Sequence, residues 1–295
     1  MMLRQIETIE ALRAVRAVLK GRVGLVPTMG ALHEGHRALV RTAREDNDAV
    51  IATIFVNPTQ FAPGEDFAAY PRELDRDLDI LEKGGVDFVF TPPPDQIYPQ
   101  GFQTYINLEV VAMGLEGDRR PNHFKGVATV VAKLFNLTQP DYAYFGQKDA
   151  QQVVVLRRMA RDLNFPVEIV VCPTVREQDG LALSSRNIYL NMAQREAAGV
   201  IYRALRATAD AYDDGERLPA NLRSIARGVL EKEPLAEIDY VAINDPGTLF
   251  GIHEPTDDPL LLSMVVKIGK PRLLDNCLLP WSLNDRAGLT SMLGA

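Results

Sequence analysis

The chain has 295 residues, 46% hydrophobic and 24% charged, which is ordinary for a soluble globular protein large enough for two domains and a sizeable core. A net charge of −7 argues against a general nucleic-acid binder, whose affinity needs clustered Lys and Arg. No apolar run reaches the roughly 20 residues of a membrane span, and acids interrupt the N-terminal stretch where a signal peptide would be apolar. Two cysteines without paired spacing fit a reducing compartment, which makes the cytoplasm the expected location.

The first strong signal is an apolar strand at Val23–Val26 that runs into Pro27-Thr28-Met29-Gly30-Ala31-Leu32-His33-Glu34-Gly35-His36. An amphipathic helix follows from Arg37. Residues three apart share a helical face, so the two imidazoles can reach one ligand. A helix start also offers unpaired backbone N–H groups and the positive end of the dipole. The combination predicts a site for a nucleotide's phosphates. His-Glu-Gly-His has one residue fewer between its histidines than the zinc-binding H-E-x-x-H, and only His123 and His253 remain elsewhere, so no metal ligands are assigned.

Further strand-like runs lie at Ala49–Val56, Val86–Phe90, Asp141–Phe145 and Val167–Cys172. Helical patterns separate them at Pro71–Lys83, Gly126–Leu137 and Gln151–Leu163. Alternating strands and helices with near-continuous apolar strands predict an α/β fold: a Rossmann-like doubly wound parallel sheet. Beyond about Arg176 come helices at Ala193–Tyr212 and Ala220–Glu231 and strands at Ile238–Ile243 and Leu260–Ile268. The expected domains are residues 1–175, binding substrates, and residues 176–295, a smaller α+β lid domain. The tail from Trp281 shows no clear pattern, which is compatible with disorder.

In doubly wound sheets ligands bind at the carboxyl ends of strands, and polar segments fall at several of them. Asn57-Pro58-Thr59-Gln60 brings two amides that can bond hydroxyls and a carboxylate without adding charge. Gly146-Gln147-Lys148-Asp149 allows close backbone approach, supplies a compact cation and offers a carboxylate for ribose hydroxyls, with Gln152 four residues beyond Lys148. Leu183-Ser184-Ser185-Arg186 sets two hydroxyls beside a guanidinium, a combination suited to clamping phosphate oxygens. Arg119–Lys125 is a further basic loop, the commoner role of which is a solvated surface. The chain lacks G-x-G-x-x-G after its first strand, a P-loop and a G-x-S-x-G elbow, which disfavours a dinucleotide oxidoreductase, a P-loop ATPase and an α/β-hydrolase.

Taken in order, these segments resemble the pantoate–β-alanine ligase family of the H-x-G-H nucleotidyltransferase superfamily. The resemblance covers nearly the whole chain, from Pro27–His36 through Phe55–Phe61, Tyr70–Arg72, Arg120–Phe124, Phe145–Asp149 and Leu183–Asn187 to Arg272–Asn276. It implies an ATP-dependent, AMP-forming ligase that joins (R)-pantoate to β-alanine through a pantoyl adenylate, with ATP and Mg²⁺, as a homodimer. Carried over by position, ATP would contact Met29, Gly30, Ala31, Leu32, His33, Glu34, Gly35 and His36. It would also contact Gly146, Gln147, Lys148, Asp149, Leu183, Ser184, Ser185 and Arg186, with Val175 meeting adenine through its backbone. The resemblance makes His33, His36, Lys148 and Arg186 catalytic, and Gln60, Asn57 and Gln152 the residues for pantoate and β-alanine. Gln147 departs from the family's usual Glu, Asn122 from a smaller residue, and Val265–Lys267 from an Ala/Arg pattern. The alternative is a nucleotidyltransferase of the same superfamily that leaves the nucleotide on its product. Two neutral amides suit a small hydroxy acid better than a phosphorylated acceptor, which would want more Lys and Arg.

Overall fold

The protein is described as a computed structural model over residues 3–62, 64–65 and 67–294. It divides into two compact units: Met1–Phe145 with Gln151–Cys172, and Pro173–Ala295 with the short segment Gly146–Ala150. Each is an α/β or α+β layer structure, as the alternating pattern predicts.

The first unit is built on a six-stranded parallel sheet in the order β1-β4-β3-β2-β5-β6. The strands are β1 Arg4–Ile6, β2 Val23–Thr28, β3 Ala49–Ile54, β4 Phe88–Phe90, β5 Tyr142–Gly146 and β6 Glu168–Cys172. Val23, Leu25, Val26, Val50, Ile51 and Ala52 are fully buried, as expected for strands covered on both faces. The chain winds from β2 through β3 to β4 in one direction and resumes at β5 on the other side of β2. That reversal puts the topological switch point at β2. Residues Val23 to Thr28 pair in step with Ala49 to Ile54, so β2 and β3 end level with one another. Their following loops, Met29–His33 and Phe55–Gln60, therefore start side by side.

Two sequence expectations change here. β1 was not anticipated, because three residues are too few to display a period. The backbone N–H groups expected to stand unpaired before the first-unit helix Glu34–Asp46 are instead partly occupied by side chains.

The second unit holds an antiparallel sheet of β7 Ala236–Asn244, β8 Leu260–Ile268 and β9 Arg272–Leu279. Helices Val200–Asp213 and Pro219–Leu230 pack with it around Leu205, Leu222, Leu230, Leu262, Met264 and Leu279. The single helix expected over Ala193–Tyr212 is two, Met192–Ala198 and Val200–Asp213, divided at Gly199. A Cβ at 199 would press on the Asp179 carboxylate and the Arg203 guanidinium, so this position takes the residue with poor helix propensity. The C-terminal tail forms a 3₁₀ turn at Trp281–Asn284 and a helix at Arg286–Met292, with Leu289 and Leu293 fully buried.

Candidate active site

Strand β2 delivers Met29 to His36 at the sheet's carboxyl edge, and the loop closes on itself through the two histidines. His33 is the N-cap of helix Glu34–Asp46, and its Nδ1 accepts from the Gly35 N–H at 3.1 Å. The His36 Nδ1 accepts in return from the His33 N–H at 3.2 Å. This is a capping box in which imidazoles replace the usual Ser/Thr and Glu/Gln. An Nδ1 that accepts from an N–H carries no proton, so each ring presents its hydrogen on Nε2. The ring centroids lie 4.1 Å apart. The sequence predicted free backbone donors; the structure shows the His33 and Gly35 donors consumed and replaced by imidazole N–H groups.

The rest of the loop is held from beneath. Asp77, 1% exposed, accepts from the Ala31 and Leu32 N–H groups, each at 2.8 Å. Gly30 and Ala31 both take positive φ, 87° and 52°, a tight reversal that the carboxylate stabilises. Burial pushes the Asp77 pKa above the ordinary aspartate range, against the two backbone hydrogen bonds that pull it down.

Beside this loop, β3 leads to Asn57 and Gln60. Asn57 is 1% exposed and wholly engaged. Its amide nitrogen donates to Gln60 Oε1 at 3.0 Å and to the Gly126 carbonyl at 3.1 Å, while its oxygen accepts from Thr59 and from the Tyr98 hydroxyl. Gly126 permits this, because a Cβ there would collide with the Thr59 carbonyl. Asn57 thus holds the Gln60 side chain in place through its own buried hydrogen bonds. Gln60 is half-buried and donates to the Met29 sulfur at 3.0 Å. Its backbone carbonyl accepts from His123 Nδ1 at 2.8 Å, and His123 Nε2 accepts from Arg120, which grips Glu65 at 2.8 Å. Burial pushes the Glu65 pKa up, but the Arg120 hydrogen bond and charge, with smaller help from His123 and a backbone hydrogen bond at Ala62, bring it below the ordinary glutamate range. The basic loop expected to be a solvated surface is therefore a scaffold for Gln60. Gln152 sits partly exposed in the first turn of helix Ala150–Asp162, whereas its neighbour Gln151 is buried and tied to the backbone of residues 111–116.

In the second unit, Gln147–Asp149 form a 3₁₀ turn after Gly146. Asn276 Nδ2 donates to the carbonyls of Gln147 and Lys148 at 3.0 and 2.9 Å. The Gln147 side chain, 3% exposed, donates to Asn284 Oδ1 at 2.7 Å and accepts from the Thr174 N–H. Lys148 forms an ion pair of 3.3 Å with Asp149. The Gln147 side chain is thus a buried link within the second unit.

Val175 to Leu183 form a small hairpin: the Leu183 N–H donates to the Val175 carbonyl, and Arg176 pairs with Ala182. Arg176 is anchored bidentately by Asp275 at 2.5 and 3.0 Å and stacks 4.9 Å from the Tyr202 ring. Ser184 caps the turn that carries Ser185 and Arg186, accepting from the Arg186 N–H.

Sequence reasoning missed the supports: Asp77, Tyr98, Glu65, Asn276 and Asn284. Asp77 left one readable trace, an acid on the apolar face shared by Leu74, Leu78 and Leu81. Among the described residues, no group of three or more His, Cys, Asp or Glu side chains could hold a metal ion, and no helix is long and apolar enough to cross a membrane.

Comparison with known proteins follows the same lines. The family model described as pantoate-beta-alanine ligase matches residues 3–278. Pantothenate synthetase of Roseiflexus sp. (strain RS-1) is 57% identical, over 94% of this chain and 99% of its own length. That of Chloroflexus aurantiacus is 56% identical over 93% and 97%. Among crystal structures, pantothenate synthetase from Thermus thermophilus superposes with a TM-score of 0.88 at 48% identity, covering 92% of this chain and 98% of that one. Pantoate-beta-alanine ligase from Francisella tularensis, complexed with beta-gamma ATP and β-alanine, gives 0.76 at 37% identity over 94% and 97%.

Proposed function

Because the chain belongs to the pantoate–β-alanine ligase family, we propose how its own residues carry that family's reaction. The overall reaction is the ATP-dependent condensation of pantoate with β-alanine. A nucleotidyltransferase that leaves the nucleotide on its product is not favoured.

In the first half-reaction the pantoate carboxylate attacks the α-phosphorus of ATP, diphosphate leaves, and a pantoyl adenylate forms. In the second, the β-alanine amine attacks the acyl carbon, AMP leaves, and the amine gives up a proton. The first nucleophile is already ionised, so the step asks for in-line positioning and a sink for charge on phosphate oxygens. His33 and His36 supply Nε2–H donors to the phosphates from the loop Met29–His36. Lys148 and Arg186 supply cationic donors, Asp149 the ribose contact, Val175 a backbone contact to adenine, and Leu183–Arg186 the cover over the triphosphate. Gln60, oriented by Asn57, grips pantoate and then β-alanine, and Gln152 binds pantoate. A substrate lacking the matching hydroxyl or carboxylate would leave these amides covered and unpaired, which gives discrimination.

Mg²⁺ enters with ATP. The described residues offer no three-residue carboxylate or histidine cluster, which fits an ion held chiefly by phosphates and water. A homodimer and a cytoplasmic location belong to the same reading and rest on the family resemblance.

The observation that supports the site assignment is the reciprocal histidine cap, in which both Nδ1 atoms accept and each ring's hydrogen is therefore on Nε2. The test incubates the protein with ATP and pantoate, with and without β-alanine. AMP and an amide are expected only when all three are present. A stable nucleotide-bearing product, unchanged by β-alanine, would support a nucleotidyltransferase instead.

A further inference from the structure

The motif Arg272–Asn276 has no role in the reaction above, yet its last residue reaches the segment that carries Lys148. Asn276 is 1% exposed on β9, and its Nδ2 bonds two successive carbonyls, those of Gln147 and Lys148. Its orientation is fixed by chemistry, since a flipped amide would aim an oxygen at two carbonyl oxygens. Its Oδ1 finds no partner among the described residues. Leu273, Cys277, Leu278 and Leu279 on the same strand are buried and apolar. Stability alone would favour an apolar side chain at 276, because a buried, half-satisfied amide costs free energy. What the asparagine provides is a grip on the lysine's backbone. Asn284 adds a second hold: it accepts from Gln147 Nε2 and is itself fixed by bonds to the carbonyls of Leu278 and Trp281.

We infer that Asn276 and Asn284 are positioning residues for Lys148, a statement that rests on the role proposed above for that lysine. Neither touches substrate. They set the place and slope of the 3₁₀ turn from which the ammonium projects, and the Gln147 amide hydrogen meets the Asn284 oxygen.

The test is a double-mutant cycle in the full chain, read by single-turnover diphosphate release and, in parallel, by thermal unfolding. Asn276→Ala is expected to slow release about 10- to 100-fold, the scale set by displacing a catalytic group by about 1 Å. In the Lys148→Ala background the same substitution should lower Tm by the same amount yet change the rate by less than about twofold. Equal fold losses in both backgrounds would mean that Asn276 acts on the fold alone and would overturn the inference. Lys148→Ala at the parent's rate would remove the lysine's proposed role and the inference with it, so the two failures are read from different arms. Should Asn276→Ala fail to fold, Asn284→Ala, which lies outside β9 and removes the second hold on Gln147, enters the same cycle with the same two outcomes.

Discussion

The loop Met29–His36 and the segment Gly146–Asp149 carry similar proposed duties and are held in opposite ways. In the loop, the functional side chains are themselves the structural caps: each imidazole satisfies a backbone donor and keeps its other nitrogen as a donor. Beneath them lies a buried charge, Asp77. In the segment, the functional cation is separate from its supports, and those supports are the neutral amides Asn276, Asn284 and Gln147. Chemistry and stability are therefore coupled in the first region and separable in the second.

The largest test of that contrast is Lys148→Ala. Turnover should fall by about 10²–10³, the cost of one transition-state donor, while Tm scarcely moves. Its partly exposed pair with Asp149 is worth no more than about 1 kcal/mol. A variant that loses both activity and stability would erase the distinction between the regions.

His36 should behave differently. His36→Ala removes a cap as well as a donor, so stability drops by about 0.5–2 kcal/mol along with the adenylation rate. His36→Asn keeps an acceptor where Nδ1 stood but has no Nε2–H. It is expected to recover Tm and not the rate. Recovery of both by asparagine would show that the ring serves only as a cap.

The smallest effects are in pH dependence, where the buried Asp77 and the partly buried Glu65 of the first unit carry opposite signs. Asp77 binds its proton more tightly in the folded state, so its ionisation subtracts stability as pH rises from the ordinary aspartate range through the raised value. Asp77→Asn leaves one of two backbone donors without an acceptor and costs about 1–3 kcal/mol, a gap that should narrow as pH rises through that range. Glu65 has a lowered value through Arg120, so its contribution is present above the ordinary glutamate range and fades as pH falls below it. The gap between the parent and Glu65→Gln should therefore widen with rising pH. Denaturant titrations across the acid range check both slopes, and parallel slopes would contradict the assignment.

What could be read from the sequence was local. The strands β2, β3, β5 and β6 announced themselves as apolar runs, and each of the motifs H-x-G-H, Gly146–Asp149 and Leu183–Arg186 is confined to four consecutive positions. The supports were illegible because their partners are remote: Ala31 and Asp77 are 46 residues apart, Lys148 and Asn276 are 128. β9 went unread as a strand because Asp275 and Asn276 interrupt its apolar run, and each is there to hold something distant, Arg176 and the Lys148 backbone. Free N–H groups were a reasonable expectation for a helix start, but no local rule reveals that two histidines would consume them.

The central claim is that His33 and His36 cap each other through Nδ1 and meet the phosphates of ATP through Nε2. Nitrogen-15 chemical shifts of histidine side chains in the labelled protein test it directly. The account predicts the Nε2–H form for both residues without nucleotide, and movement of both Nε2 resonances when ATP is added. An Nδ1–H form at either residue, or Nε2 resonances indifferent to ATP, would contradict it.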